Sequence, residues 1–280
     1  MKQGRAICMY SGGRQSALAA AMALKVHGKD KTIWLNNPVT GEPKDVARFE
    51  EEFAAHHGMD ILYVEGDREK YPSLSPYEVV QHERGFGFKS AGGDNVLCTH
   101  RLKIQPTLDW LDKNYQKDDI VIYGYTAEET GRISRRSSIL GSRNIITAYP
   151  LYNWSNKLDM DYFNKIGIEI PKQYKAFQHA NCIPCIKGGI MHWLCVFVHD
   201  NDSYWKWSQL ENEVGFSIHK EGYLDEYAEL FEQIKALGVP IEENDNPRTF
   251  LASVKRLIKN AQPSMLKAFD QGTLPCECVV

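Results

Sequence analysis

The stretch Ile7-Cys8-Met9-Tyr10-Ser11-Gly12-Gly13-Arg14-Gln15-Ser16-Ala17 decides the reading of this chain. A short apolar run ends in Ser-Gly-Gly and a helical pattern starts at once, which predicts a strand, a tight glycine turn and a helix N-terminus. Backbone N–H groups converge on an anion at such a turn, and the helix dipole adds partial positive charge there. The glycines matter because a β-carbon would hold a phosphate away from the backbone. Ser11 and Ser16 add hydroxyl donors and Arg14 adds a charge. The spacing is too short for a G-x-x-x-x-G-K-[ST] phosphate loop and lacks its Lys-Ser/Thr ending; it does not match a G-x-G-x-x-G fingerprint either. An ordinary strand-to-helix turn can carry the same residues, so the rest of the chain has to decide.

Working outward, residues 31–35, 61–64, 120–125 and 145–151 read as further strands. Residues 14–27, 44–57, 98–115 and 156–166 read as helices between them. Strands alternating with helices predict an α/β fold with a doubly wound, mainly parallel sheet, whose ligands sit at the carboxyl ends of strands near a switch point. Residues 204–236 and 247–261 predict a C-terminal helical region. The expected division is a nucleotide-binding domain over 1–199 and a helical region with a cysteine-containing tail over 200–280. Residues 67–96, rich in glycine and proline, read as a long irregular insert, a lid or substrate loop. Gly85-Phe86-Gly87 within it lacks a preceding strand and is no nucleotide fingerprint. Thr126-Ala127-Glu128-Glu129 fits an N-cap with carboxylates in the first turn.

Composition narrows the class. The chain has 280 residues, of which 43% are hydrophobic, enough for a real core. No apolar run is long enough to span a membrane. The start, Met-Lys-Gln-Gly-Arg, runs straight into the first strand, which predicts no signal peptide and a cytoplasmic protein. A net charge of -3 argues against an electrostatic nucleic-acid binder as a whole, so any such contact needs a local basic patch.

Seven cysteines are present. In a cytosolic chain, Cys182-Ile183-Pro184-Cys185 reads as metal-binding or redox-active rather than as a disulfide. Two thiolates at this spacing bind one metal centre from one turn, and Cys98, where a loop enters a helix, is the best third ligand. Softness and spacing permit iron–sulfur or zinc; free thiols packed in a core remain the alternative. Cys195, in an apolar run, reads as packing. Arg132, Arg135 and Arg136 follow the strand ending near Tyr125. They suit phosphate or sulfate, or else helix-surface pairing, since Glu128 and Arg132 lie four apart. Lys103 and Lys187 face anions or solvent. Trp34, Trp110, Trp193 and Trp205 read as core or interface residues.

Four segments, in order, resemble the PP-loop proteins similar to phosphoadenosine phosphosulfate (PAPS) reductase. They are Ser11-Gly12-Gly13-Arg14-Gln15-Ser16; Cys98-Thr99 with Leu102-Lys103-Ile104 and Pro106; Tyr123 to Glu129 with Arg132; and Tyr149-Pro150-Leu151 through Trp154 to Asn181-Cys182-x-x-Cys185-x-Lys187-Gly188-Gly189. The resemblance covers residues 5–195 and extends to a group common in bacteriophage genomes and to the PP-loop component of DNA phosphorothioation systems. Gln15 stands where many PP-loops have Asp, and Arg14 where Lys is common.

The resemblance implies an adenine nucleotide held by Ser11, Gly12, Gly13, Arg14, Gln15, Ser16 and Gly124, with Asn36 at the adenosine or simply in an Asn-Asn-Pro turn. In the ATP-using branch the α-phosphate is attacked and pyrophosphate leaves, with Mg neutralising its charge, and sulfur displaces the adenylate. In the reductase branch a cysteine thiolate attacks the sulfur of a sulfonucleotide. Members of both branches carry a 4Fe-4S cluster; here it implies Cys98, Cys182 and Cys185 as ligands, with the fourth open and zinc as the alternative metal. The tail Glu277-Cys278 matches two positions of the reductase's catalytic end, and a thiol there can accept sulfur. The leading expectation is therefore ATP α–β cleavage coupled to sulfur transfer, with Arg132 and Cys278 catalytic. The expected partners are a nucleic-acid or nucleotide sulfur acceptor, a thiol or sulfur donor protein, and a second copy in a homodimer. The rivals are a PAPS or adenylyl sulfate reductase and a non-catalytic nucleotide-binding protein.

Overall fold

The computed structural model describes residues 4–90, 93–154, 160–175, 180–219, 222–237, 255–257 and 259–260. Strand β1 (Ala6–Met9) is buried along its whole length, as a central parallel strand covered on both faces must be. Helix α1 (Arg14–His27) begins directly after Gly13 and ends at Gly28, whose φ of 78° and N–H to the Leu24 carbonyl close the last turn. Next come β2 (Thr32–Asn36), α2 (Lys44–His56) and β3 (Ile61–Tyr63). Helix α3 (Pro76–Glu83) is capped by the Ser75 hydroxyl, which accepts the Glu78 N–H at 3.0 Å. Strands β4 (Gly87–Ser90) and β5 (Gly93–Val96) form an antiparallel hairpin. Helix α4 (Leu97–Thr99) passes through a π-helical turn, His100–Ile104, into α5 (Gln105–Asn114). The chain then gives β6 (Ile120–Ile122), α6 (Thr130–Gly141), β7 (Ile146–Ala148) and α7 (Met160–Ile166). It continues into α8 (Ile190–His199), α9 (Asn201–Val214) and α10 (Leu224–Ala236).

Five strands form one all-parallel sheet in the order β3-β2-β1-β6-β7, with Ala6 in register with both Thr32 and Ile120. The chain winds outward from β1 to β3, then returns to the other side of β1 for β6 and β7. The switch point therefore lies between β1 and β6. Alternation along β1 sorts the core into two layers. Ala6, Cys8 and Tyr10 pack with Ala17 and Leu18 of α1, Phe49 and Phe53 of α2, and Phe163 of α7. Ile7 and Met9 face the opposite side, with Leu108 and Leu111 of α5 and Leu140 of α6. Trp34 fills the first layer, its ring centroid 5.0 Å from Tyr10 and 5.7 Å from Phe53. Burying each such side chain stabilises by about 1.5–3 kcal/mol.

A separate core joins the last three helices. Trp193, Leu194 and Phe197 of α8 meet Tyr204, Trp207 and Leu210 of α9 and Tyr227, Phe231 and Ile234 of α10. Two expectations need correction. The helical run over 204–236 is two helices, because Gly215 turns left-handed at φ 77° and ends α9. The insert over 67–96 is irregular only in part: residues 67–75 are turns and loop, but α3 buries Val79 and Val80 fully, and β4 and β5 pair as a hairpin. Trp34 and Trp193 are core residues, whereas Trp205 is 44% exposed. Within 247–261 the described residues are helical. Among the described residues no helix is long and apolar enough to cross a membrane.

Candidate functional site

The Ser11–Gly13 turn lies at the carboxyl end of β1, at the switch point. Gly12 has φ 70°, and a β-carbon there would meet Glu50 Oε1 at 2.4 Å and Val46 Cγ1 at 2.6 Å. Glycine is thus required by both conformation and space. Gly13 differs, since its φ of -81° suits any residue and a β-carbon would come no nearer than 3.5 Å to Tyr174 Oη. Ser16 is buried and holds the turn together. Its hydroxyl donates to the Gly13 carbonyl at 2.8 Å and accepts the Ser11 N–H at 3.2 Å. Gly124, just beyond β6, lies against this turn: a β-carbon would stand 2.5 Å from the Gln15 carbonyl oxygen. The expected nucleotide residues Ser11, Gly12, Gly13, Arg14, Gln15, Ser16 and Gly124 are therefore contiguous in space.

A pocket opens beside the turn, lined by Met9, Tyr10, Ser11, Leu35, Asn36, Asn37 and Lys103. Its polar walls are fixed. Asn37 donates to the Val64 carbonyl at 2.8 Å and accepts from Thr107 Oγ1 at 2.9 Å. Asn36 donates through Nδ2 to Glu50 Oε1 at 2.7 Å. Lys103 is buried and donates to Glu42 Oε1 at 2.8 Å. Burial pushes the Glu50 carboxyl up to about 8; Glu42 pushes the same way, while the Asn36 hydrogen bond and Lys103 oppose it. Sequence reasoning missed Glu50. The signal was there: it lies four residues after Val46 and three before Phe53, inside the buried stripe of α2.

Tyr174 was missed too. It sits on the 3₁₀ turn Lys172–Lys175, and its hydroxyl accepts the Arg14 N–H at 3.3 Å while the Arg14 guanidinium lies 4.9 Å from its ring centre. The turn is anchored by the Lys172 N–H on Asp45 Oδ2 at 2.6 Å and by Gln173 Nε2 on the Asn181 carbonyl at 2.7 Å. No periodicity or spacing in the sequence links Tyr174 to Arg14, 160 residues earlier.

Cys182 and Cys185 are buried, and Cys98 is half-buried. Cys182 belongs to the apolar cluster of Val39, Tyr71, Leu74, Val79, Leu97 and Leu102, against which Cys98 packs. The pair's loop is tied down at both ends. Ile183 N–H donates to the Gly41 carbonyl at 3.1 Å, and Cys185 N–H donates to His192 Nε2 at 2.9 Å. Gly188 makes room for the His192 ring, whose Cδ2 would lie 2.3 Å from a β-carbon there. These soft donors suit iron or zinc in their chemistry. Among the described residues, however, no three His, Cys, Asp or Glu side chains form a group that could hold a metal ion. Cys195 is buried in α8, as its apolar run predicts. Cys278 lies outside the described residues.

Arg132 pairs with Glu129, three residues before it on the same side of the turn, and its guanidinium lies 4.4 Å from the Tyr125 ring centre. Thr126 and Glu129 form the expected capping box. Arg136 is buried near Tyr123, and Arg135 is exposed. Tyr123, Tyr125 and Tyr149 stack, with centroids 5.3 to 6.1 Å apart.

A comparison with curated proteins returned no match. A model of the phosphoadenosine phosphosulfate reductase domain matches residues 5–187, which takes in the turn, the pocket, Arg132 and the cysteine pair. With an all-parallel sheet, a glycine turn at its switch point and this match over most of its length, the chain belongs to the phosphoadenosine phosphosulfate reductase domain family, within the PP-loop superfamily.

Proposed function

We propose that the chain is an enzyme that binds ATP at the Ser11–Ser16 loop, cleaves it between the α- and β-phosphates and couples the adenylation to sulfur transfer. The observation that carries this reading is the pocket walled by Ser11, Asn36 and Lys103 directly beside the loop. It is a small recess that would meet only an edge of an adenosine, next to the N–H groups that would hold its phosphates. An acceptor oxygen attacks the α-phosphorus and pyrophosphate leaves; hydrosulfide from a donor then displaces AMP at the activated carbon, and Mg held with the nucleotide would neutralise the phosphate charge. Arg132, with Tyr125 and Glu129 fixing its guanidinium, is the residue proposed to meet developing phosphate charge.

The sulfur part of the proposal rests on the thiols. Gly41 holds the Cys182–Cys185 loop, and the next residue, Glu42, holds Lys103 in the pocket wall. Cys98, Cys182 and Cys185 are the proposed ligands of an iron–sulfur cluster; they form no three-ligand group as they stand, so a cluster would have to draw them together and add a further ligand. Such a cluster would supply an iron able to carry sulfide. The acceptor is proposed to be a nucleotide or nucleic acid.

The match to the reductase domain favours one second reading, reduction of a sulfonucleotide; the thiol proposed for it is Cys278, which lies beyond the matched residues. Anaerobic purification followed by iron, sulfide and zinc analysis starts the test. Pyrophosphate release from ATP and sulfite release from PAPS or adenylyl sulfate complete it. Iron with sulfide, together with pyrophosphate, supports the first reading. Sulfite that disappears in Cys278→Ser supports the second. Nucleotide binding with neither product makes the protein a non-catalytic binder.

A further inference from the structure

We propose that Asn36 reads the nucleobase: with its amide nitrogen committed to Glu50, it offers Oδ1 to the pocket as an acceptor for an exocyclic amino group. It thereby selects adenine over a base with an oxo group in the same place. This rests on the pocket being the nucleotide site.

The two asparagines at the end of β2 differ in what they have left to offer. Asn37 spends both ends of its amide, Nδ2 on the Val64 carbonyl and Oδ1 on the Thr107 hydroxyl. Asn36 spends only Nδ2, on Glu50 Oε1 at 2.7 Å, and among the described residues nothing donates to its Oδ1. Asn36 is 4% exposed yet lines the pocket with Tyr10, Ser11 and Lys103. A buried amide oxygen in that position loses its water when a ligand enters, and it regains a hydrogen bond only if the ligand supplies a donor.

Glu50 is what fixes the orientation. Glu50 Oε1 accepts the amide Nδ2 at 2.7 Å, which turns the nitrogen of Asn36 toward Glu50 and its oxygen away. The carboxyl is held in turn: its helix carries the Tyr10 hydroxyl on the Glu50 carbonyl at 2.9 Å, and Oε1 lies directly under Gly12. The charged and titratable groups around it are Glu42, Lys103, Glu51, Tyr10 and Tyr63. The same carboxyl therefore supports the loop floor and aims the base reader. The 6-amino group of adenine donates to Oδ1, whereas the 6-oxo group of hypoxanthine brings an acceptor against an acceptor.

The test is equilibrium binding of ATP, ITP and purine riboside triphosphate to the full chain, with AMP and IMP as a second pair. The pairs keep the phosphates constant and change only the base. Wild type is expected to bind ATP about 10–100-fold more tightly than ITP, the range for one buried hydrogen bond made or left unmade. The unsubstituted purine falls between them. Asn36→Ala is expected to bring ATP and ITP within about 3-fold of each other, and Glu50→Gln to reduce the preference because a second amide tolerates either orientation. The wild-type comparison needs no variant, so misfolding of either variant leaves the inference testable. Equal binding of ATP and ITP by wild type, or an undiminished preference in folded Asn36→Ala, overturns the inference alone. If none of the five nucleotides binds, the reading of the site falls, and the inference with it.

Discussion

A β-carbon on Gly124 would stand 2.5 Å from the carbonyl oxygen of Gln15 and 2.7 Å from the amide nitrogen of Ser16. Both obstacles are backbone, so neither can swing aside. The exit of β6 and the first turn of α1 are thus packed main chain to main chain at the switch point. Gly124→Ala is expected to cost about 1–3 kcal/mol by overpacking, read as a lowered melting temperature.

Gly13→Ala separates folding from binding. Its φ of -81° and open surroundings predict a melting temperature close to wild type. If phosphate sits against the Gly13 backbone, nucleotide affinity falls at least 10-fold all the same. Unchanged affinity in this variant places the phosphates elsewhere.

The Glu50 carboxyl gives stability a pH slope. Its ordinary value is 4.5 and burial holds it up to about 8 in the folded chain. Between those values the folded state binds more protons than the unfolded one, so this contribution is complete below about 4.5 and is lost as pH rises through about 8. Glu50→Gln is expected to remove that loss, so that relative to wild type it gains on the order of 5 kcal/mol between pH 4 and pH 9. Glu211, which burial raises to about 7, keeps its own slope in both proteins. Urea melts at pH 5, 7 and 9 read the difference; parallel curves for the two proteins would refute it.

His192 positions the cysteine pair through the Cys185 N–H. Removing this acceptor in His192→Ala leaves a buried donor unpaired, at a cost of about 1–3 kcal/mol. Cys185 is then expected to alkylate faster than in wild type under native conditions, while Cys8, far off in the sheet core, keeps its protection. Equal alkylation rates at Cys185 would mean that the ring does not hold the loop.

Arg132 has a pair and an aromatic face in place before any ligand arrives. Its ion pair with Glu129 is largely screened from solvent, the two side chains being 12% and 11% exposed, and Arg132→Lys keeps the charge that makes it. As a phosphate fork it is not replaceable by lysine, and Arg132→Lys is expected to lower turnover more than 10-fold at near-wild-type stability. A loss of stability without a loss of turnover would assign it to the helix surface.

Much of this protein is determined locally and is therefore legible in the residues. Ile7 to Ala17 specifies strand, turn and helix because apolar period, glycine and helix start follow one another without a gap. Thr126 and Glu129 specify their capping box from a spacing of three. The helix break at Gly215 and the order within the insert were harder, since apolar periodicity ran across the one and glycine composition disguised the other. What the tertiary structure alone decided is which distant residues meet. Gly124 reaches Gln15, Tyr174 reaches Arg14, Glu50 lies under Gly12, and His192 supports Cys185. Each of the first three contacts joins segments that become neighbours only when the sheet winds out from β1 and back to β6. The fourth depends on α8 packing its buried face into the C-terminal core. Sequence spacing carries the information for turns and periods; the sites themselves form where the crossovers bring separate turns together.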